Sequence, residues 1–111
     1  MIYHLAPADR WNNWPLDTDY LPAEFDADGF VHCTAGDDLM LRVANTFYRQ
    51  VAEPFVLLVI DTDLLKAPLK WEESNDELRS LFPHIYGPIN RDAVVEVRPA
   101  RRAESGEFLG W

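Results

Sequence analysis

The sequence predicts an α+β fold, on three observations. One long stretch, Leu39, Met40, Val43, Ala44, Phe47, Tyr48 and Val51, places its apolar residues on one helical face. Several short apolar or alternating runs read as strands, and most of them follow residue 54. Strands therefore outnumber crossover helices in the second half, which argues against a doubly wound parallel sheet.

Taken in order, Ile2 to Leu5 reads as a first strand with His4 near its end, broken by Pro7. Pro7-Ala8-Asp9-Arg10 looks like a helix start, with Pro and Asp in the first turn. Trp11 and Trp14 share a face of that short helix, and Pro15 stops it. Leu16 to Asp28 is acidic and irregular, anchored by Tyr20, Leu21 and Phe25, with room for one helical turn over Leu21 to Phe25. Asp28-Gly29 is a turn signal before a strand at Phe30 to Cys33. Thr34 to Asp38 suits a helix cap, and the long helix is expected from about Asp37 to Ala52.

Pro54 ends that helix. Phe55 to Ile60 is a near-continuous apolar run, as expected of a central strand covered on both faces. Leu69-Lys70-Trp71-Glu72 alternates as a half-buried strand does, and Glu73 to Arg79 reads as a loop with a helical turn. The middle of Phe82 to Pro88 is a short strand bounded by Pro83 and the Gly87-Pro88 turn. Ala93 to Val97 is the last clear strand, and an edge strand near Phe108 completes the tail.

A chain of 111 residues is expected to form a single domain, residues 1–111, with a modest core. The net charge of -9 opposes binding to a nucleic-acid backbone, which needs a basic footprint. The lone Cys33 rules out an internal disulfide and fits a reducing, cytoplasmic setting. The start, Met1-Ile2-Tyr3-His4, lacks the features of a signal peptide, and the run from Phe55 to Ile60 is too short to span a bilayer. There is no Gly-rich strand-to-helix turn and no Walker pattern.

The residues that carry chemistry centre on three histidines, His4, His32 and His84, each in a short strand-like run. Together they could orient a ribose, do acid–base work or bind a metal; singly, each is a buried histidine satisfied by a backbone carbonyl. Strand alternation sends His32 and Cys33 to opposite faces, so Cys33 is expected in the core. Thr34 returns to the His32 face, to hold a ligand or to cap the helix. Glu72 is a candidate general base or ribose ligand, or else a solvated carboxylate. Tyr86 and Asn90 flank a rigid Gly-Pro turn, which suits gripping a ligand as well as plain loop building. Trp11, Trp14, Phe47 and Tyr48 read as core, and Asn45 as a polar tie from the helix to a loop.

Several blocks in order carry a family resemblance. They are Ile2-Tyr3-His4, Gly29-Phe30-Val31-His32-Cys33-Thr34, Val43-Ala44-Asn45-Thr46-Phe47-Tyr48, Leu57-Leu58-Val59-Ile60-Asp61, Trp71-Glu72, and Phe82-Pro83-His84-Ile85-Tyr86-Gly87-Pro88-Ile89-Asn90 with Ala93-Val94. Over residues 2 to 97 the chain resembles the domain of unknown function 952 family, which is bacterial and plant, cytoplasmic and without an established activity. That family looks like the ADP-ribosyltransferase fold, a split and mostly antiparallel β-sheet that grips NAD in its cleft. The resemblance implies one long and one or two short helices, and a ribose held by His4 and His32. It implies a third signature position in the His84 to Tyr86 strand, with Glu72 as competitor for the catalytic acid. The run Gly29 to Thr34 is also similar to one in RNA 2′-phosphotransferases, but Tyr3 stands where those carry arginine, and the charge of -9 opposes RNA.

The expected function is thus an ADP-ribosyltransferase-like enzyme, or a binder of a small nucleotide-like ligand of the NAD type. His32 and Glu72 are the catalytic candidates, and His4, Thr34, His84, Tyr86 and Asn90 the ligand-binding ones. No membrane or nucleic-acid partner is expected. Two rivals stand beside it: a metal site on the three histidines, and a non-enzymatic domain that binds a small molecule or partner.

Overall fold

The computed structural model describes residues 1–74 and 80–111. Its strands are β1 (Ile2–Pro7), β2 (Val31–His32), β3 (Phe55–Ile60), β4 (Leu69–Glu73), β5 (Leu81–Ile85), β6 (Val94–Pro99), β7 (Arg101–Arg102) and β8 (Phe108–Gly110). Its helices are α1 (Ala8–Asn13), α2 (Phe25–Asp28) and α3 (Asp37–Phe47), with a 3-10 turn at Arg91–Ala93. The fold is mixed α and β, and every ladder between the described strands is antiparallel.

Two three-stranded sheets form the body, in the orders β1-β3-β6 and β2-β5-β4. They meet where Tyr3 and Thr34 exchange backbone hydrogen bonds of 2.7 and 2.8 Å. Beyond that pair β1 and β2 diverge. All six residues of β3 are buried, which is why its sequence is an unbroken apolar run. Residues alternate along β1, so Ile2 and Ala6 enter one apolar cluster while Leu5 enters the other beneath α3. The tail hairpin β7–β8 closes the second cluster with Phe108, and Asn45 ties it to α3. The Asn45 amide donates to the Phe108 carbonyl at 3.1 Å, and its oxygen accepts from the Phe108 N–H at 2.7 Å.

Four expectations are corrected. The long helix ends at Phe47, not Ala52, because the Arg102 guanidinium takes the carbonyls of Tyr48 and Arg49 at 3.3 and 3.2 Å. Pro83 lies inside β5 and does not bound it. Its carbonyl accepts from the Cys33 N–H at 3.1 Å, but with no N–H it cannot return the bond. The same gap explains why β2 stops at His32 and does not reach Cys33. The helical turn expected over Leu21 to Phe25 lies further on, at Phe25–Asp28. Thr34 does not cap α3; Gly36, at φ +92°, holds that position without a side-chain bond. The helical turn expected within Glu73 to Arg79 falls largely outside the described residues.

Candidate functional site

The divergence of β1 from β2 opens a cleft of about 850 Å³, walled by both sheets and by α3. All three histidines line it. His32 and His84 come together because β2 and β5 pair them directly across the ladder, which puts both rings on one face. Their centroids are 5.5 Å apart, in an edge-on arrangement. Phe30 stacks on His84 at 4.0 Å and lies 4.6 Å from His32, fixing both rings laterally.

Each of these two histidines has a carboxylate behind it. Asp28 Oδ2 accepts from His32 Nε2 at 2.9 Å, across the turn at Gly29. Glu72 Oε1 accepts from His84 Nδ1 at 2.8 Å and also from the Tyr86 hydroxyl. The Tyr86 and then the His84 hydrogen bond hold the Glu72 carboxyl below the usual carboxylate range, and Glu72 in turn raises the Tyr86 phenol. An ionised carboxylate can only accept, so the proton of neutral His84 sits on Nδ1. Its Nε2 then carries the free lone pair.

His4 stands in the fork between the sheets. Its Nδ1 donates to the backbone carbonyl of His32 at 2.7 Å, in place of the strand partner that β2 loses there. The ring is buried at 6% exposure, and Nε2 is buried with no partner among the described residues. Burial lowers the His4 pKa from 6.5, with the bond to His32 pulling more weakly the other way. Neutral His4 with its proton on Nδ1 therefore presents Nε2 as an acceptor.

Cys33 belongs to the main core cluster, and desolvation pushes its thiol well up, so it is no nucleophile. Thr34 is buried on the cleft wall. Glu72 and Tyr86 do not line the cleft but stand behind His84. Asn90 is elsewhere: its oxygen accepts from Lys66 N–H at 2.9 Å, and its amide donates to Leu64 O at 2.9 Å and Asp92 Oδ1 at 2.6 Å. Those bonds knit the loop before β6, so Asn90 builds structure and does not face the cleft. Phe47, expected in the core, is 49% exposed at the cleft rim, while Trp11 is buried as expected.

Sequence reasoning missed Asp28 and Phe30 as residues of the site. Glu24, Asp28, Glu53 and Glu73 line the cleft, and no lysine or arginine does among the described residues. A four-residue spacing links Asp28 to His32, but only the left-handed Gly29 turn makes it a contact. Among the described residues no three His, Cys, Asp or Glu side chains converge as a metal site requires. No described helix is long and apolar enough to cross a membrane.

Comparison with known proteins agrees with this architecture. The chain is similar to the crystal structure of protein CC0527 from Caulobacter crescentus, at 28% identity and a TM-score of 0.80, covering 96% of this chain and 91% of that one. A double mutant of CC0527 matches at 27% identity with the same TM-score and coverage. No curated protein matches the chain. A family model described as "Protein of unknown function (DUF952)" matches residues 5–97, so the chain belongs to that family.

Proposed function

We propose that the cleft is a small-molecule site for a nucleotide of the NAD type, used in the manner of an ADP-ribosyltransferase-like enzyme. The observation that carries this is the fork. His4 is tied to the His32 carbonyl where the two sheets part, and both line the cleft. A buried acceptor left unpaired, as His4 Nε2 is, costs about 1–3 kcal/mol. A ribose hydroxyl is a donor of the right kind to relieve that cost.

The charge of the lining supports the same reading for one half of the ligand. Four carboxylates and no described basic residue suit a positively charged nicotinamide ring, and they suit the cationic character that grows at the ribose when the nicotinamide bond weakens. The described lining offers nothing basic to a pyrophosphate. The part of the ligand these residues fit is therefore the nicotinamide riboside end. Bound NAD would supply an ADP-ribosyl group activated by its leaving nicotinamide. With a shift of the His4 ring that opens the buried Nε2 to the cleft, His4 accepts from the ribose, Phe30 and His32 flank the nicotinamide, and Thr34 adds polar wall.

Isothermal titration of NAD into the wild type and into His32→Ala tests this. Saturable binding by the wild type, weakened about tenfold or more in the variant, is the expected outcome. A wild type that takes up no NAD at millimolar concentration sinks the nucleotide reading.

A further inference from the structure

We infer that His84 is the proton-accepting residue of this site and that Glu72 is its positioning residue rather than the catalytic carboxylate. The inference rests on the reading above, in which the cleft presents an acceptor hydroxyl to an activated ribose. Glu72 stands outside the cleft lining, and its Oε1 is committed to the Tyr86 hydroxyl and to His84 Nδ1. His84 does line the cleft. Carboxylate, imidazole and open nitrogen follow one another in the order that orients a general base.

The ring is held by three neighbours. Phe30 stacks on it at 25° between planes, His32 approaches edge-on, and Glu72 fixes Nδ1. The charged or titratable groups around it are Glu72 and Lys70 on β4, Tyr86 after β5, and His32 with Asp28 on the β2 side. The proton step balances simply. The O–H bond of an acceptor alcohol or water breaks and an N–H bond forms at Nε2, while the oxygen's electron pair makes the new bond to the ribose carbon as its bond to nicotinamide breaks and nicotinamide leaves with that pair. The imidazolium that results lies against the Glu72 carboxylate, which stabilises it, and it returns the proton to solvent.

Two-bond proton–nitrogen correlation spectra of the 15N-labelled chain, with His84→Gln to assign the ring, read the dyad directly. Recorded at a pH where the ring is neutral, the wild type should show the His84 proton on Nδ1, and Glu72→Gln should give a mixture of tautomers. A wild-type proton on Nε2, or an unchanged tautomer in Glu72→Gln, overturns the assignment. A second arm measures NAD hydrolysis, with water as acceptor, and NAD affinity in the same proteins, each confirmed folded by its thermal melt. His84→Gln should lose about 100-fold or more in kcat, with a Kd for NAD within about threefold of wild type. Loss of affinity equal to the loss of turnover would make His84 a binding residue and overturn its role as base. Should the wild type neither bind nor cleave NAD, the nucleotide reading falls, while the spectra still decide whether Glu72 sets the His84 tautomer.

Discussion

His4 uses one ring nitrogen and leaves the other buried and unpaired. That asymmetry has a consequence for pH. Burial lowers the folded-state pKa of His4 below 6.5, so in the window between the two values the unfolded chain binds a proton that the folded chain does not. Stability is therefore fully present above about pH 6.5 and falls as the pH drops through that window. Glu72, Asp92 and Glu96, all with lowered pKa values, lose their contributions only further down, below the ordinary carboxyl range. Urea denaturation of wild type and His4→Gln from pH 7 down to about pH 3 separates the two. The variant should lose the first descent and keep the second; equal slopes in both proteins would show that His4 is not the group titrating.

The elements are fastened by a few polar side chains, and Arg102 is the foremost. From β7 it donates to Tyr48 and Arg49 at the end of α3, to Glu53 at 3.0 Å, and to Gly106 at 3.0 Å, and it lies 4.1 Å from the Phe108 ring centroid. Gly106 sits at φ +95°, a conformation that favours glycine, and brings its carbonyl to the guanidinium. Arg102→Ala should cost about 2–4 kcal/mol, since several carbonyls lose a charged donor at once. Arg102→Lys should recover less than half of that, because a lysine cannot fork to carbonyls on three segments. Chemical denaturation midpoints at constant m-value check both. At this scale much could be read in advance: the apolar period of α3 fixed its start, and the unbroken apolar run fixed β3 to the residue. The stop of α3 could not be read, because its cap comes from a residue more than fifty positions away.

In the whole molecule the two sheets differ in how well they are anchored. β3 is buried along its full length between β1 and β6, whereas β2 is two residues long and ends where Pro83 has no N–H to give. Native-state hydrogen exchange should therefore find the slowest amides in β3 and exchange at least about tenfold faster in β2. Equal protection in the two strands would contradict a sheet that is weakest at its split. The short β2 carries His32 at the mouth of the cleft while its neighbour Val31 is buried in the core.

Sequence by itself determined the class of elements, most strand positions and one side-chain decision at the site. With Val31 and Cys33 turned to the core, His32 has to face out, and period-two alternation is a local property that needs no partner strand. It also marked His4, His32, His84, Glu72 and Tyr86 as worth attention, but it ranked Asn90 with them although that side chain is consumed in a loop. Only the tertiary structure decided which of these meet and in what order. The register of β2 on β5 sets His32 beside His84, and the register of β4 on β5 puts Glu72 within reach of His84 and Tyr86. Register is a long-range choice, made by the whole sheet burying one face at once, and a single run of residues does not contain it. The same choice set the Glu72 carboxylate against His84 Nδ1 and the Tyr86 hydroxyl.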